Sequence, residues 1–249
     1  MTAISHVFFD LHGTLIDSHA LHPCYTAGLG ELMVARYGGT AEMWATANRL
    51  IVADWDSYYA DLDLGGEDAI EHMWEGLYRI TRALFRLTGI PEPSKAEISA
   101  LSREIPAIAP RKCDAFYDDT KPVLKHLYES GYVLGIASHA LVEQARSLLI
   151  GGGVSDYFNG LILSPEVTDQ FNKDATFFRY ALNHHGNVLD PAVCLVVDDD
   201  AYALRGAKQL GMRTAHIVRK GTIHRSPADV TFTQGITGLD GWIFAQANP

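Results

Sequence analysis

Acidic residues follow two strand-like runs of this sequence, and their placement is the first sign of chemistry. Asp10 follows an apolar run near the start of the chain, and Asp198, Asp199 and Asp200 follow a second one. Crowded carboxylates raise one another's pKa unless a cation lies between them. Mg²⁺ prefers oxygen ligands and is commonly held by one or two carboxylates together with water and phosphate oxygens. The acids therefore predict a Mg²⁺ site, provided that the two runs lie side by side.

Other polar side chains occupy comparable positions. Ser138 and His139 follow a third strand-like run, and Lys173 begins a predicted helix, where its ammonium group could balance a nucleophile and an anionic substrate. Taken singly, each feature has an ordinary structural explanation: a helix N-terminus for the aspartates, an N-cap for the serine and a solvated charge for the lysine. Their shared position at strand ends favours a functional site.

The elements that must position these residues alternate from about residue 116 onward. Strands are predicted at 132–138, 160–164, 193–197, 214–218 and 229–233, and helices from Thr120 as N-cap and at 140–153, 174–186 and 203–212. Such alternation indicates right-handed crossovers and a parallel sheet with helices on both faces. Ligands bind beyond the carboxyl ends of such strands. The predicted fold class is α/β, a three-layer Rossmann-like core whose first strand is Val7–Phe9.

The segment between the first strand and this region has a different pattern. Apolar residues spaced three and four apart are typical of helices. We predict a helical cap domain at residues 18–112, inserted into a catalytic core of residues 1–17 and 113–249. Its aromatic side chains are expected to be mostly core, with one or two lining a substrate pocket.

Charge and hydropathy limit the partners. The formal net charge is −10 and no basic cluster exceeds two residues, whereas nucleic-acid-binding proteins usually carry a basic stripe. No apolar segment approaches the roughly 20 residues that span a bilayer, and no signal peptide is recognisable. We expect a small-molecule substrate, no nucleic-acid or membrane partner and a cytoplasmic location. The sequence leaves monomer and homodimer open.

The three cysteines, Cys24, Cys113 and Cys194, are scattered and odd in number. Such a set is typical of a reducing cytoplasm, and no Cys-x-x-Cys or Cys–His spacing indicates a metal site. We expect all three to be small buried apolar side chains.

The segments that carry the polar residues resemble the motifs of the haloacid dehalogenase-like hydrolase superfamily, which has a helical cap inserted after its first motif. FFDLHGTLIDS resembles the first motif, with Asp10 as nucleophile and Thr14 as the turn threonine. LGIASH resembles the second, in which Ser138 would bind the phosphate group with His139 beside it. The resemblance implies that these residues contact a phosphorylated substrate.

Two further segments complete the resemblance. Lys173 resembles the third motif, although Asp174 stands where a proline often follows. CLVVDDDAYALRGAKQLGM resembles the fourth and puts Asp198 in the metal-binding position. The family often has a further acid later in this motif, and this sequence has Ala203 at that position. The sequence therefore departs from the family's pattern there.

That departure leaves Asp199 or Asp200 to assist the metal. The resemblance implies a Mg²⁺ ion held by Asp10, the backbone carbonyl of His12 and Asp198, and a phosphate clamp that includes Lys173. The family's phosphatases carry an acid at the position of His12, where it protonates the leaving group and then activates water.

The histidine at this position leaves three interpretations open. Imidazole titrates near pH ~6.5, so His12 could replace the acid in a phosphatase acting on a small phosphorylated metabolite. A 2-haloacid dehalogenase needs no such acid, and Arg36 or Arg49 could then hold the substrate carboxylate. A weakened site that binds a phosphate ligand without turnover is the third. Phosphonatase-like C–P cleavage is disfavoured because residues 18–94 contain no lysine. The sequence favours the Mg²⁺-dependent phosphatase.

Overall fold

The computed structural model describes residues 3–183, 188–221 and 226–247. Within them six strands form one sheet: β1 (His6–Phe9), β2 (Val133–Ala137), β3 (Phe158–Leu163), β4 (Cys194–Asp198), β5 (Arg213–Ile217) and β6 (Val230–Phe232). Their order is β3-β2-β1-β4-β5-β6, and every neighbouring pair is parallel. The predicted α/β class with a parallel Rossmann-like sheet is confirmed.

Helices cover both faces of this sheet. They are α5 (Thr120–Glu129), α6 (Val142–Gly151), α7 (Pro165–Thr168), α8 (Ala175–Leu182), α9 (Ala201–Gln209) and α10 (Leu239–Ala247). Because side chains alternate along a strand, Val7 and Phe9 pack into one core cluster and Phe8 into the other. The first cluster includes Leu148 of α6, and the second includes Phe177 of α8. Burial on both faces explains the continuous apolar runs of the strands.

Several helix ends differ from the sequence predictions. The expectation that Thr120 is an N-cap is wrong: Asp119 occupies that position, and the Thr120 hydroxyl donates to the Leu15 carbonyl at 3.2 Å. The helix predicted at 174–186 is helical over Ala175–Leu182, and residues 184–187 lie outside the described part. The C-terminal helix α10 was not predicted.

The segment between β1 and residue 109 is helical. It contains α1 (Ser18–Tyr37), α2 (Ala41–Ala53), α3 (Ala69–Thr88) and α4 (Lys95–Ile108). These helices share a hydrophobic core of their own, in which Trp44 is fully buried and its Nε1 donates to the Gly38 carbonyl at 2.9 Å. The division into domains at residues 18 and 112 stays a prediction. Among the described helices, none has both the length and the hydropathy that a bilayer crossing demands.

The expectation for the cysteines is wrong for two of the three. Cys24 of α1 and Cys113 form a disulfide; the two are 89 positions apart in sequence, with 5.7 Å between their Cα atoms. Packing of α1 against the short 3₁₀ turn Ala109–Lys112 brings the two together, which no local spacing reveals. Cys194 is free and buried, as expected. The bond ties the start of the helical segment to the point where the chain returns to the sheet.

This disulfide should contribute measurably to stability. Closing so long a loop restricts the unfolded chain, so reduction should lower the free energy of unfolding by about 2–4 kcal/mol. Urea unfolding with and without dithiothreitol measures the difference. A variant with Cys24→Ser and Cys113→Ser is the control and should not respond to the reductant. Finding three free thiols in the denatured, unreduced protein instead of one would contradict the pairing.

Candidate active site

Asp10 lies at the centre of the carboxyl edge of the sheet. In strand β1, Phe9 pairs with Ile136 of β2 on one side and with Val197 of β4 on the other. The next residue, Asp10, therefore lies between the ends of both neighbouring strands, and its N–H donates to the Val197 carbonyl at 2.9 Å. This register brings Asp10 beside Asp198 as the sequence suggested.

Lys173 joins the two carboxylates. Its ammonium group donates to Oδ1 of Asp10 at 2.8 Å and to Oδ2 of Asp198 at 2.7 Å. The three residues are 2%, 5% and 0% exposed, respectively. Burial alone would lower the pKa of Lys173, but the two carboxylates outweigh it and raise that pKa, so the lysine stays charged. It is a fixed positive charge between two acids.

Two local features hold Lys173 in place. Asp174 is the N-cap of α8, where its carboxylate accepts from the N–H groups of Thr176 at 2.8 Å and Phe177 at 3.1 Å. Gly206 of α9 lies directly against this turn: a Cβ atom there would be 2.7 Å from the Asp174 backbone and 2.8 Å from the Lys173 carbonyl oxygen. Asp174, the acid that follows the lysine, is thus an N-cap. Because Gly206 has no side chain, α9 can pack directly against this turn.

Asp199 is held against the turn that follows Asp10. The Thr14 hydroxyl donates to Oδ1 of Asp199 at 3.2 Å. Gly13 has a φ of +89°, and a Cβ atom there would be 2.3 Å from Oδ2 of the same carboxylate. From the other side, Nε2 of His216 donates to the Asp199 carbonyl at 3.0 Å. Only a glycine lets the turn and the carboxylate lie this close.

The geometry fits a divalent cation. One carboxylate oxygen each from Asp10, Asp198 and Asp199 lies within 4.8 Å of the others. Oδ2 of Asp10 is buried and has no hydrogen-bond partner. Burial raises the pKa of Asp198, and Lys173 opposes that rise only partly; burial and then the charge of Asp10 raise the pKa of Asp199. One lysine leaves three carboxylates undercompensated, and oxygen donors of this kind suit Mg²⁺.

Asp200 has a different position from its two neighbours. Its carboxylate caps α9 by accepting from the Tyr202 N–H at 2.8 Å, while its own N–H donates to Oδ1 of Asp198 at 2.8 Å. Of the two acids that the sequence left open, the structure therefore brings Asp199 to the cluster and Asp200 to the helix N-terminus.

The remaining predicted residues surround this cluster. His12 is half-buried, its Nδ1 lies 3.5 Å from the Ser18 hydroxyl, and burial lowers its pKa while the charge of Asp10 opposes that shift. Ser138 is buried and its hydroxyl accepts from the Ala140 N–H at 3.3 Å. The His139 ring packs on Phe171 with 5.2 Å between ring centroids. The roles of these residues stay predictions.

Sequence reasoning missed the side chain that supports the Asp10 turn. Arg219 donates to the Thr14 carbonyl at 2.6 Å and to the Asp119 carboxylate at 2.6 Å, and its guanidinium lies 3.9 Å from the Tyr117 ring centroid. Arg219 directly follows the predicted strand 214–218, so its position at the carboxyl edge was available as a signal. A cavity of about 540 Å³ opens here beside Asp199 and is lined in part by this arginine.

Replacing Gly13 should separate the turn from Asp199, a candidate metal ligand. Gly13→Ala puts a methyl group where Asp199 now lies, so we expect Mg²⁺ affinity to fall by about tenfold or more. Gly131→Ala is the matched control, because Gly131 also has a positive φ, +84°, but nothing lies within 4 Å of its added Cβ. Both variants should lose about 1–2 kcal/mol of stability to backbone strain. Equal Mg²⁺ affinities by calorimetry would contradict the proposed placement of Asp199.

Comparison with known proteins agrees with this architecture. A family model described as haloacid dehalogenase-like hydrolase matches residues 4–211. Phosphoserine phosphatase from Thermus thermophilus is 26% identical over 149 residues, which are 59% of this chain and 57% of that protein. The chain thus spans little more than half the length of this curated relative.

Two solved structures share the fold. The magnesium-bound HAD-hydrolase YfnB from Bacillus subtilis has a TM-score of 0.60 and 15% identity, covering 97% of this chain and 99% of its own. The L-2-haloacid dehalogenase from Xanthobacter autotrophicus with chloropropionic acid covalently bound has a TM-score of 0.57 and 16% identity, covering 97% and 98%. At these identities the likeness establishes the fold and does not choose between the two chemistries.

Proposed function

The chain belongs to the haloacid dehalogenase-like hydrolase family, and we propose that it is a Mg²⁺-dependent phosphatase acting on a small phosphorylated metabolite. The observation that carries this proposal is the cluster of Asp10, Asp198 and Asp199, of which the first two are buried around a single lysine. Its negative charge exceeds its positive charge, so it favours a cation that in turn attracts phosphate. The distant relationship to a phosphoserine phosphatase supports the same chemistry.

In the proposed first step Asp10 attacks phosphorus. Lys173 holds Oδ1 of Asp10, and the unpartnered Oδ2 is free to bond. A P–O bond forms to Asp10 as the ester P–O bond breaks, and the departing alkoxide takes a proton from His12. Lys173 also lies where it would neutralise charge on the phosphoryl oxygens. This step leaves an aspartyl-phosphate and a neutral alcohol.

In the second step water hydrolyses the aspartyl-phosphate. His12, now without its proton, takes one from the attacking water, so that inorganic phosphate leaves and Asp10 is regenerated. Mg²⁺ held by Asp10, the His12 carbonyl, Asp198 and Asp199 would supply electrostatic stabilisation of the charge on the transferred group. Ser138 is assigned to the phosphate as a hydroxyl donor, and the Thr14 hydroxyl orients Asp199.

The contacts of the helical segment weigh against dehalogenation of a haloacid. That reaction requires a cation for the substrate carboxylate, and Arg36 and Arg49 were the candidates. Arg36 is paired with Glu104 through both terminal nitrogens, and Arg49 is paired with Glu42 at 2.5 Å. A metal-free reaction also leaves the excess negative charge of the aspartates uncompensated.

The proposal is tested by assaying p-nitrophenyl phosphate and a set of 2-haloacids side by side. We expect phosphate release that requires Mg²⁺, is abolished by EDTA and is lost in Asp10→Asn, with no halide release. Halide release without Mg²⁺ would make the protein a dehalogenase. Tight Mg²⁺-dependent phosphate binding without turnover of any ester would make it a binding protein.

The role of His12 has its own test, because a proton donor matters most for a poor leaving group. His12→Asn should lower kcat for an alkyl phosphate by about 10²–10⁴-fold and lower it less for p-nitrophenyl phosphate. His12→Asp should retain activity, since it supplies the family's usual acid. Mg²⁺ affinity should stay unchanged in the Asn variant, because the assigned ligand is a backbone carbonyl. Unchanged alkyl phosphate turnover in the Asn variant would remove His12 from the mechanism.

A further inference from the structure

A second cavity connects the sheet edge to the helical segment. It has a volume of about 370 Å³, within the range of small-molecule sites. Tyr25, Trp55 and Tyr59 line it from the helical segment, and His139 and Phe171 line it from the side of the sheet. A further cavity of about 200 Å³ shares Tyr25 and Trp55 with it and extends it among the helices.

Its floor belongs to the same two loops as the candidate active site. His139 directly follows Ser138, and Phe171 comes two residues before Lys173. The two rings pack on each other at 5.2 Å. A substrate whose phosphate reaches Ser138 and Lys173 would therefore place its remaining part against this pair of rings.

Two aromatic side chains form the opposite wall of the cavity. The rings of Trp55 and Tyr59 lie 5.8 Å apart and are inclined by 31°. Tyr59 rests directly on α3, where a Cβ atom at Gly76 would be 2.0 Å from its ring. Burial raises the pKa of Tyr59 to about 12, so its ring carries no charge. Trp55 is 42% exposed, so part of its ring is accessible to a ligand.

The described residues that line the cavity offer no cationic side chain to an anionic group. Among its described lining residues Asp56 is the single acid, and lysine and arginine are absent. Nearby cations of the helical segment are engaged elsewhere: Arg79 pairs with Asp61 and Glu75, and Arg82 pairs with Glu92. A carboxylate such as that of phosphoserine or a 2-haloacid would lose its hydration there without gaining a partner.

From these observations we propose that the group esterified to the phosphate is aromatic and carries no carboxylate. Its ring lies between Trp55 and Tyr59 on one side and the pair His139–Phe171 on the other. The inference rests on the proposed phosphatase function and adds the substrate class: phosphate monoesters of uncharged aromatic alcohols. Trp55 and Tyr59 are then the residues that determine specificity.

The test compares phosphate monoesters of primary alcohols, all of which are poor leaving groups. Burying one phenyl ring should raise kcat/KM for 2-phenylethyl phosphate about 10–100-fold above those for ethyl phosphate and phosphoserine. Trp55→Ala should remove most of that advantage, so that kcat/KM falls much more for 2-phenylethyl phosphate than for ethyl phosphate. Phenylphosphonate binding, measured by calorimetry, should weaken about tenfold in the same variant.

Trp74→Ala is the matched control, because Trp74 belongs to the same segment but packs under the Arg103 guanidinium, 3.6 Å from its ring centroid, and does not line this cavity. It should leave the aromatic preference intact. Turnover of all three esters at similar kcat/KM, a preference for phosphoserine, or equal losses in the two tryptophan variants would overturn the inference while the phosphatase stands. Failure to hydrolyse any ester, together with failure on p-nitrophenyl phosphate, would overturn both.

Discussion

One ammonium group organises the carboxyl edge of this sheet. Lys173 contacts Asp10 at the end of β1 and Asp198 at the end of β4, and all three side chains are almost inaccessible to water. Burying two carboxylates without a cation is strongly unfavourable, so removing the lysine would leave uncompensated charge in the protein interior. The lysine is still not enough once Asp199 is included. That remaining excess of negative charge is the physical reason to expect a divalent ion.

The parallel sheet brings these charged residues together. Parallel strands end at a common edge, so acids that are far apart in the sequence meet without any special contact between them. Small residues then set the final distances, because Gly13 lets Asp199 approach the first turn and Gly206 lets the Lys173 turn approach α9. The helical segment contributes no charge to this cluster. Its contribution is a largely apolar cavity that reaches the same loops. In the proposed function, the aspartate cluster acts on the phosphate and this cavity selects the alcohol.

Much of the fold and of the candidate site could be predicted from the sequence, because strand–helix alternation fixes the topology. That topology in turn brings Asp10 beside the acids of the fourth motif. Which of Asp199 and Asp200 joins the cluster could not be predicted, since it depends on which carboxylate caps α9 and which faces Gly13. The disulfide of Cys24 and Cys113 could not be predicted either, because tertiary packing brings together two cysteines that are 89 positions apart and that no local pattern relates. Which aromatic side chains face the cavity is likewise decided by helix packing.

The proposed mechanism requires that Asp10 become covalently phosphorylated, and the most direct measurement looks for that bond. The protein is mixed with substrate and Mg²⁺, quenched in acid within one turnover, and the peptide containing Asp10 is analysed by mass spectrometry. We expect phosphate on Asp10 that disappears as substrate is exhausted, and none in Asp10→Asn. Sustained ester hydrolysis with no phosphate on Asp10 at any time, or full activity in Asp10→Asn, would contradict it.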